Sequence, residues 1–147
     1  MSSQSTSAQA IVAPQSLDIL TKESEKRSRD LEKIFVQSFK HQKQVFGINR
    51  ATRYVEKKLD YIADDETHIH APGTFDMIRA ICGAALKTDI PVGPVPLWRL
   101  QHNAEECGAM DLAKYVEVQS KNFKKQQTSF NSFMWRELRR LFVPVRE

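Results

Sequence analysis

Along this chain the apolar positions recur at spacings of three and four, the period of α-helices that bury one face, over five separate stretches. The first covers 16–46. There Leu17, Leu20, Leu31, Ile34, Phe35 and Phe39 mark the apolar side, Ser16 is placed to cap the start, and Gly47 is a natural stop. Its middle, KESEKRSRD, is polar on every side, so that section is expected to project from the body or to meet a partner. The second stretch follows Asn49, a capping residue, with Ala51, Val55, Leu59 and Ile62 in one stripe and Tyr54 and Tyr61 flanking it. The cluster DDETHIHAPGT ends it. A third helix starts at Thr74 and reads TFDMIRAICGAALKT, apolar on nearly all sides, which marks it as the central buried element. Gly83 inside it costs about 1 kcal/mol against alanine and permits a close helix approach.

DIPVGPVP, with three prolines and a glycine, is a stiff extended connection that no helix interior or central strand accepts. PLWRLQHNAEEC is the fourth helix, with proline in its first turn and Gly108 beyond its end. The fifth begins near Ala109 and runs to Phe142, before Pro144; TSFNS, a run of weak helix formers, offers a break between Gln126 and Asn131. No run of alternating apolar residues bounded by turn signals reads as a strand, and no internal repeat is present. The expected fold is all-α, with about five helices: a long N-terminal helix, a central buried third helix and a long basic C-terminal helix. Residues 1–15, rich in Ser, Gln and Ala without an aromatic, are expected to be a flexible arm, with 16–147 forming a single helical domain.

Length and composition fit that expectation, since 147 residues at 41% hydrophobic content are the size and make-up of one globular domain. Two cysteines, Cys82 and Cys107, give no disulfide framework and read as buried thiols of a reducing compartment. The N-terminal stretch lacks the features of a secretory or transit signal, and no apolar run reaches the ~20 residues of a membrane span. An intracellular site is expected, in the cytoplasm or nucleus, or in the host cell if the chain is viral.

Charge changes the picture at one end. The net charge is +4, yet residues 119–147 alone hold seven Lys or Arg against two Glu, while 96–118 are net acidic. On a helical wheel Phe123, Phe130, Met134, Leu138 and Leu141 lie within about 60° of one direction, and Lys121, Lys125, Arg136, Arg139 and Arg140 lie roughly opposite. The apolar set is therefore expected to face the core and the basic set to face outward. Cations on one ridge can follow a phosphate backbone by releasing counterions, and Trp135, at the border of the two sets, can stack on a base. A solvated face whose late arginines complement the helix dipole is the simpler alternative.

Two other constellations carry ligand-type side chains. His68 and His70 in THIHAP, with His102, Glu105, Glu106 and Cys107 in QHNAEEC, offer imidazole, carboxylate and thiol ligands that could hold a metal and activate water, but without any spacing diagnostic of zinc. Asp60, Asp64 and Asp65 crowd a helix end without the calcium-loop pattern. LQHNAEECGAMDLAKYVEVQ resembles a helix-turn-helix only in its turn, because the following helix is out of phase and of mixed charge. No nucleophile has an assignable base, and no glycine-rich loop cradles phosphate.

The expected function is therefore a non-enzymatic helical binding or assembly protein, an accessory subunit without a cofactor. Its basic C-terminal helix would contact an acidic partner such as DNA or RNA, and its helix 16–46 another protein or a second copy of itself. The alternatives are a purely structural assembly subunit and a metal-dependent hydrolase using His68, His70, His102 and Glu105.

Overall fold

The computed structural model describes the backbone of residues 2–142 and the side chains of residues 22–141. Six helices follow one another: α1 (Ser2–Phe46), α2 (Ile48–Ala63), α3 (Glu66–Ile69), α4 (Thr74–Lys87), α5 (Pro94–Glu106) and α6 (Met110–Phe142). Among the described residues there is no strand, so the all-α expectation holds with one helix more than expected. Among the described residues no helix is long and apolar enough to cross a membrane. The added element, α3, lies in the polar cluster after α2. Asp65 creates it by accepting the Thr67 backbone N–H at 2.9 Å and its hydroxyl at 2.8 Å, the side-chain cap that starts a short helix.

The helices alternate in direction. Ser24 and Arg27 of α1 meet Asp76 at the start of α4, and the Lys43 ammonium donates to the Thr88 carbonyl at its end, so α1 and α4 run the same way. Phe75 packs on Tyr115 and Gln126 reaches the Leu86 carbonyl, which makes α6 parallel to α4 as well. Between them α2 and α5 descend together, joined by the Glu56 carboxylate on the Gly93 amide and by Arg99 on Asp60. The turn from α5 into α6 takes three residues, and Gly108 supplies its left-handed conformation at φ 84°.

The core is one cluster drawn from all six helices, with Ile90 and Val92 of the α4–α5 connection added. Ala51, Val55, Leu59 and Ile62 of α2 are all buried, as their spacing predicts. In α4, Ile78, Ala80, Ile81, Cys82, Ala84 and Ala85 are buried, the all-round burial expected of a central helix. Phe39 of α1 is fully enclosed against Phe35 and Tyr54. Burial pushes the Cys82 thiol up to about 12, which leaves it an inert part of the packing. Cys107, expected to be buried like it, is half-exposed instead, because it is the C-cap of α5 rather than an interior residue.

Two boundaries and one surface differ from expectation. Helix α1 extends back to Ser2. Helix α5 starts at Pro94, two residues early, because both Pro94 and Pro96 fit in a first turn whose amides need no helical partner. The polar middle of α1 does not stand clear of the body: its Ser24 and Arg27 grip α4 through polar contacts, which hydropathy does not register.

Asp76 is the center of that grip. It is 4% exposed, accepts from the Ser24 hydroxyl, and pairs with Arg27 and Arg79, each at 3.1 Å. Burial pushes its carboxyl up, but the hydrogen bonds from Ser24, Arg27 and Arg79 outweigh it and hold the group below the usual carboxylate range. Higher on α4, Gly83 leaves room for the Glu32 side chain of α1, whose carboxylate pairs with Lys87 at 2.8 Å.

Replacing Ile81, 1% exposed, with Asp should cost on the order of 4 kcal/mol or more and unfold the domain, since the charge has no partner or water. A cooperative urea transition retained near the wild-type midpoint would show that α4 is not central. Because the folded Asp76 carboxyl is depressed, its contribution is present above about pH 4 and is lost as pH falls through the folded value. Asp76→Asn should therefore lower stability by about 2 kcal/mol at neutral pH and flatten the acid limb of the urea midpoint plotted against pH.

Candidate functional site

Helix α6 has two halves with different surroundings. In the first, Leu112, Ala113, Val116 and Phe123 are buried against the domain, and Tyr115 packs on Phe75 of α4 with ring centers 5.4 Å apart. Gln126 is the last anchor, its amide donating to the Leu86 carbonyl at 2.9 Å and to the Asp89 carboxylate at 3.0 Å. Beyond it the helix continues without the break that TSFNS suggested, and it leaves the body. Every residue from 127 to 141 is exposed except Glu137, which is intermediate. Fifteen residues at 1.5 Å each carry the helix about 22 Å past its last support.

This departure overturns the expected facing of the apolar stripe. Phe123 is buried at 3%, but Phe130 is 60% exposed, Met134 45%, Leu138 40% and Leu141 69%. Phe133 and Trp135 are exposed beside them. The stripe continues in the sequence after the domain surface has ended, so four of its five members cover nothing.

The basic ridge is exposed as expected. Lys121, Lys125, Arg136, Arg139 and Arg140 all face solvent. Arg140 pairs with Glu137 one turn back at 3.2 Å, whereas Lys121, Lys125, Arg136 and Arg139 form no ion pair among the described residues. The free end thus presents an apolar arc and a cationic arc on one helix, with Trp135 on the seam.

The histidines do not gather as the hydrolase reading requires. His68 stacks on Tyr61 with ring centers 4.4 Å apart and bonds through Nδ1 to the Tyr61 carbonyl at 2.8 Å. His102 stacks on Trp98 and lies 3.7 Å from Glu106, while Glu105 accepts from Gln101. Among the described residues the one set of three ligand-type side chains with donor atoms mutually within 4.8 Å is Glu66, His70 and Cys107. Of the residues grouped from the sequence, His70 and Cys107 belong to it, whereas His68, His102 and Glu105 do not. Glu66 is the addition, a carboxylate four residues before His70, and only the fold brings Cys107 to them.

The acidic cluster is also resolved. Arg99 of α5 binds both Asp60, at 2.8 Å, and Asp64, and Asp65 caps α3, so these carboxylates hold the α2–α3–α5 corner together. Arg99 gains from Asp64 first and Asp60 second, and its guanidinium is held more firmly protonated than usual.

No protein-family model matches the chain, and neither a curated protein nor a solved structure shows significant similarity to it.

Substitutions on α6 should separate its halves by stability alone. Phe123→Ala should cost about 3–5 kcal/mol, whereas Leu138→Ser and Phe130→Ser should each stay within about 0.5 kcal/mol of wild type. Equal losses at the three positions in thermal unfolding would place the far half of α6 in the core after all.

Proposed function

We infer that this protein is a non-enzymatic assembly subunit that engages an acidic partner through the free end of α6. One observation carries the reading: past Gln126 the side chains of α6 are exposed or half-exposed, with large apolar side chains on one side and, on the other, Arg136 and Arg139, which form no ion pair among the described residues. A helix of that make-up lays its apolar face into a groove and meets acidic groups at the rim with its cations. The exposed Phe130, Met134, Leu138 and Leu141 favor a protein groove over bare nucleic acid, because a phosphate backbone offers those side chains nothing to cover them. Nucleic acid remains the second reading on the strength of Arg136, Arg139 and the exposed Trp135 beside them, a combination suited to phosphate contact and base stacking.

Calcium-loaded calmodulin, whose groove is apolar and acidic, serves as a probe of this helix-in-groove competence. In a Trp98→Phe background, Trp135 fluorescence should shift to the blue on titration with the probe. Changing Arg136, Arg139 and Arg140 to Gln should weaken binding at least ~10-fold at low salt while leaving the melting temperature unchanged. Parallel titrations use single-stranded and double-stranded oligonucleotides across a salt series. Steep salt dependence with the oligonucleotides, lost in the triple variant and without calmodulin binding, transfers the proposal to nucleic acid. Absence of binding to any of these probes overturns it.

A further inference from the structure

The corner where α3 meets the end of α5 carries chemistry unrelated to α6. Glu66 opens α3 and His70 is its C-cap, still in helical conformation, so the two side chains lie four residues apart on one face. Cys107, the C-cap of α5, completes the group. The His70 imidazole Nε2 stands 3.9 Å from Glu66 Oε1 and 3.1 Å from the Cys107 carbonyl oxygen, and the carboxylate, imidazole and thiol donor atoms all lie within 4.8 Å of one another. A carboxylate, an imidazole and a thiol converge here from two helices, a mixed nitrogen, oxygen and sulfur donor set.

We propose that Glu66, His70 and Cys107 form a binding site for Zn²⁺, with a fourth position open to water. Donor atoms around tetrahedral zinc, at bond lengths of about 2.0–2.3 Å, stand roughly 3.3–3.7 Å apart. Closing the group from its present spacing, within 4.8 Å, takes side-chain rotations that the exposure of Glu66 and His70 and the half-exposure of Cys107 allow, with the imidazole either releasing the Cys107 carbonyl from Nε2 or ligating through Nδ1. The backbone that carries them is fixed. Asp65 caps α3, Ile69 is buried beneath it, the Thr74 hydroxyl donates to the His68 carbonyl at 2.6 Å, and the Asn103 amide ties α5 to the Ala63 carbonyl at 2.8 Å.

The ligand set selects the metal. Imidazole and thiolate suit a borderline-soft cation over Mg²⁺ or Ca²⁺, which take oxygen ligands. Binding takes up the thiolate, and the thiol proton leaves to solvent, so affinity rises with pH. Glu66 and Cys107 also line an open cleft of about 260 Å³ shared with Asn103 and Glu106. A water at the fourth position can sit there, with Glu106 near enough to the same cleft to add negative potential.

The test is a Co²⁺ titration of the full chain after chelator treatment, followed by Zn²⁺ displacement. The expected result is a thiolate-to-metal charge-transfer band with visible bands of tetrahedral intensity, abolished by stoichiometric Zn²⁺. Cys107→Ser should remove the charge-transfer band. His70→Gln and Glu66→Gln should each weaken binding at least ~10-fold, while His102→Gln leaves it unchanged. Zn²⁺ should also raise the melting temperature of the wild type and of His102→Gln but not of Cys107→Ser. A charge-transfer band that persists in Cys107→Ser, or wild-type protein that gives no such band with Co²⁺, overturns the proposal. Each altered side chain is at least partly exposed, so folding of the variants, checked by their melting curves, is not at stake.

Discussion

A buried carboxylate sets the register of this bundle. Helix α1 is long, and much of its inner face is polar, so packing alone would let it slide along α4 by a turn. Asp76, enclosed at the start of α4 and already paired with Arg79 of its own helix, opposes that freedom because its remaining bonds are made where Ser24 and Arg27 stand opposite. Once that height is fixed, Glu32 falls against Gly83, Phe39 enters the core and Lys43 reaches the last carbonyl of α4. The direction of α1, and with it the placement of α2 across the Gly47 turn, follows from the lower contact.

A second polar corner has the same logic on the other side. Arg99 holds Asp60 and Asp64 together, the Asn103 amide binds the end of α2, and Asp65 starts α3. Side chains that look from composition like a patch of surplus charge are the fasteners between α2, α3 and α5. The hydrophobic cluster supplies most of the driving force, and these polar contacts decide which helix ends meet.

Helical periodicity carried most of the architecture in the sequence. The stripe of α2, the all-round burial of α4 and the hairpin turn at Gly108 are local properties, and each is where the spacing places it. What periodicity could not convey is where a neighbor ends. Phe130, Met134, Leu138 and Leu141 have the spacing of core residues and are exposed, because a wheel reports which residues share a face and not what faces them. Helix α3 was hidden for a different reason: four residues are too few to show a period, and the side-chain cap by Asp65 is its principal local signal. In the Glu66, His70 and Cys107 group, residue chemistry already pairs His70 with Cys107 as ligand types, while their meeting across 37 residues is a product of the fold and Glu66 joins through its i,i+4 spacing to His70.

The free end of α6 is also a statement about order. A helix that packs on a core is held by tertiary contacts, but residues 127–142 extend a helix already formed and have only propagation to rely on, through Thr128, Ser129, Asn131 and Ser132, which are weak helix formers. Helix formation there rests on a balance of backbone entropy against one hydrogen bond per residue. Any surface that covers the apolar arc therefore shifts a helix–coil equilibrium along with making contacts. Its affinity is coupled to residues on the far side of the helix that it never touches.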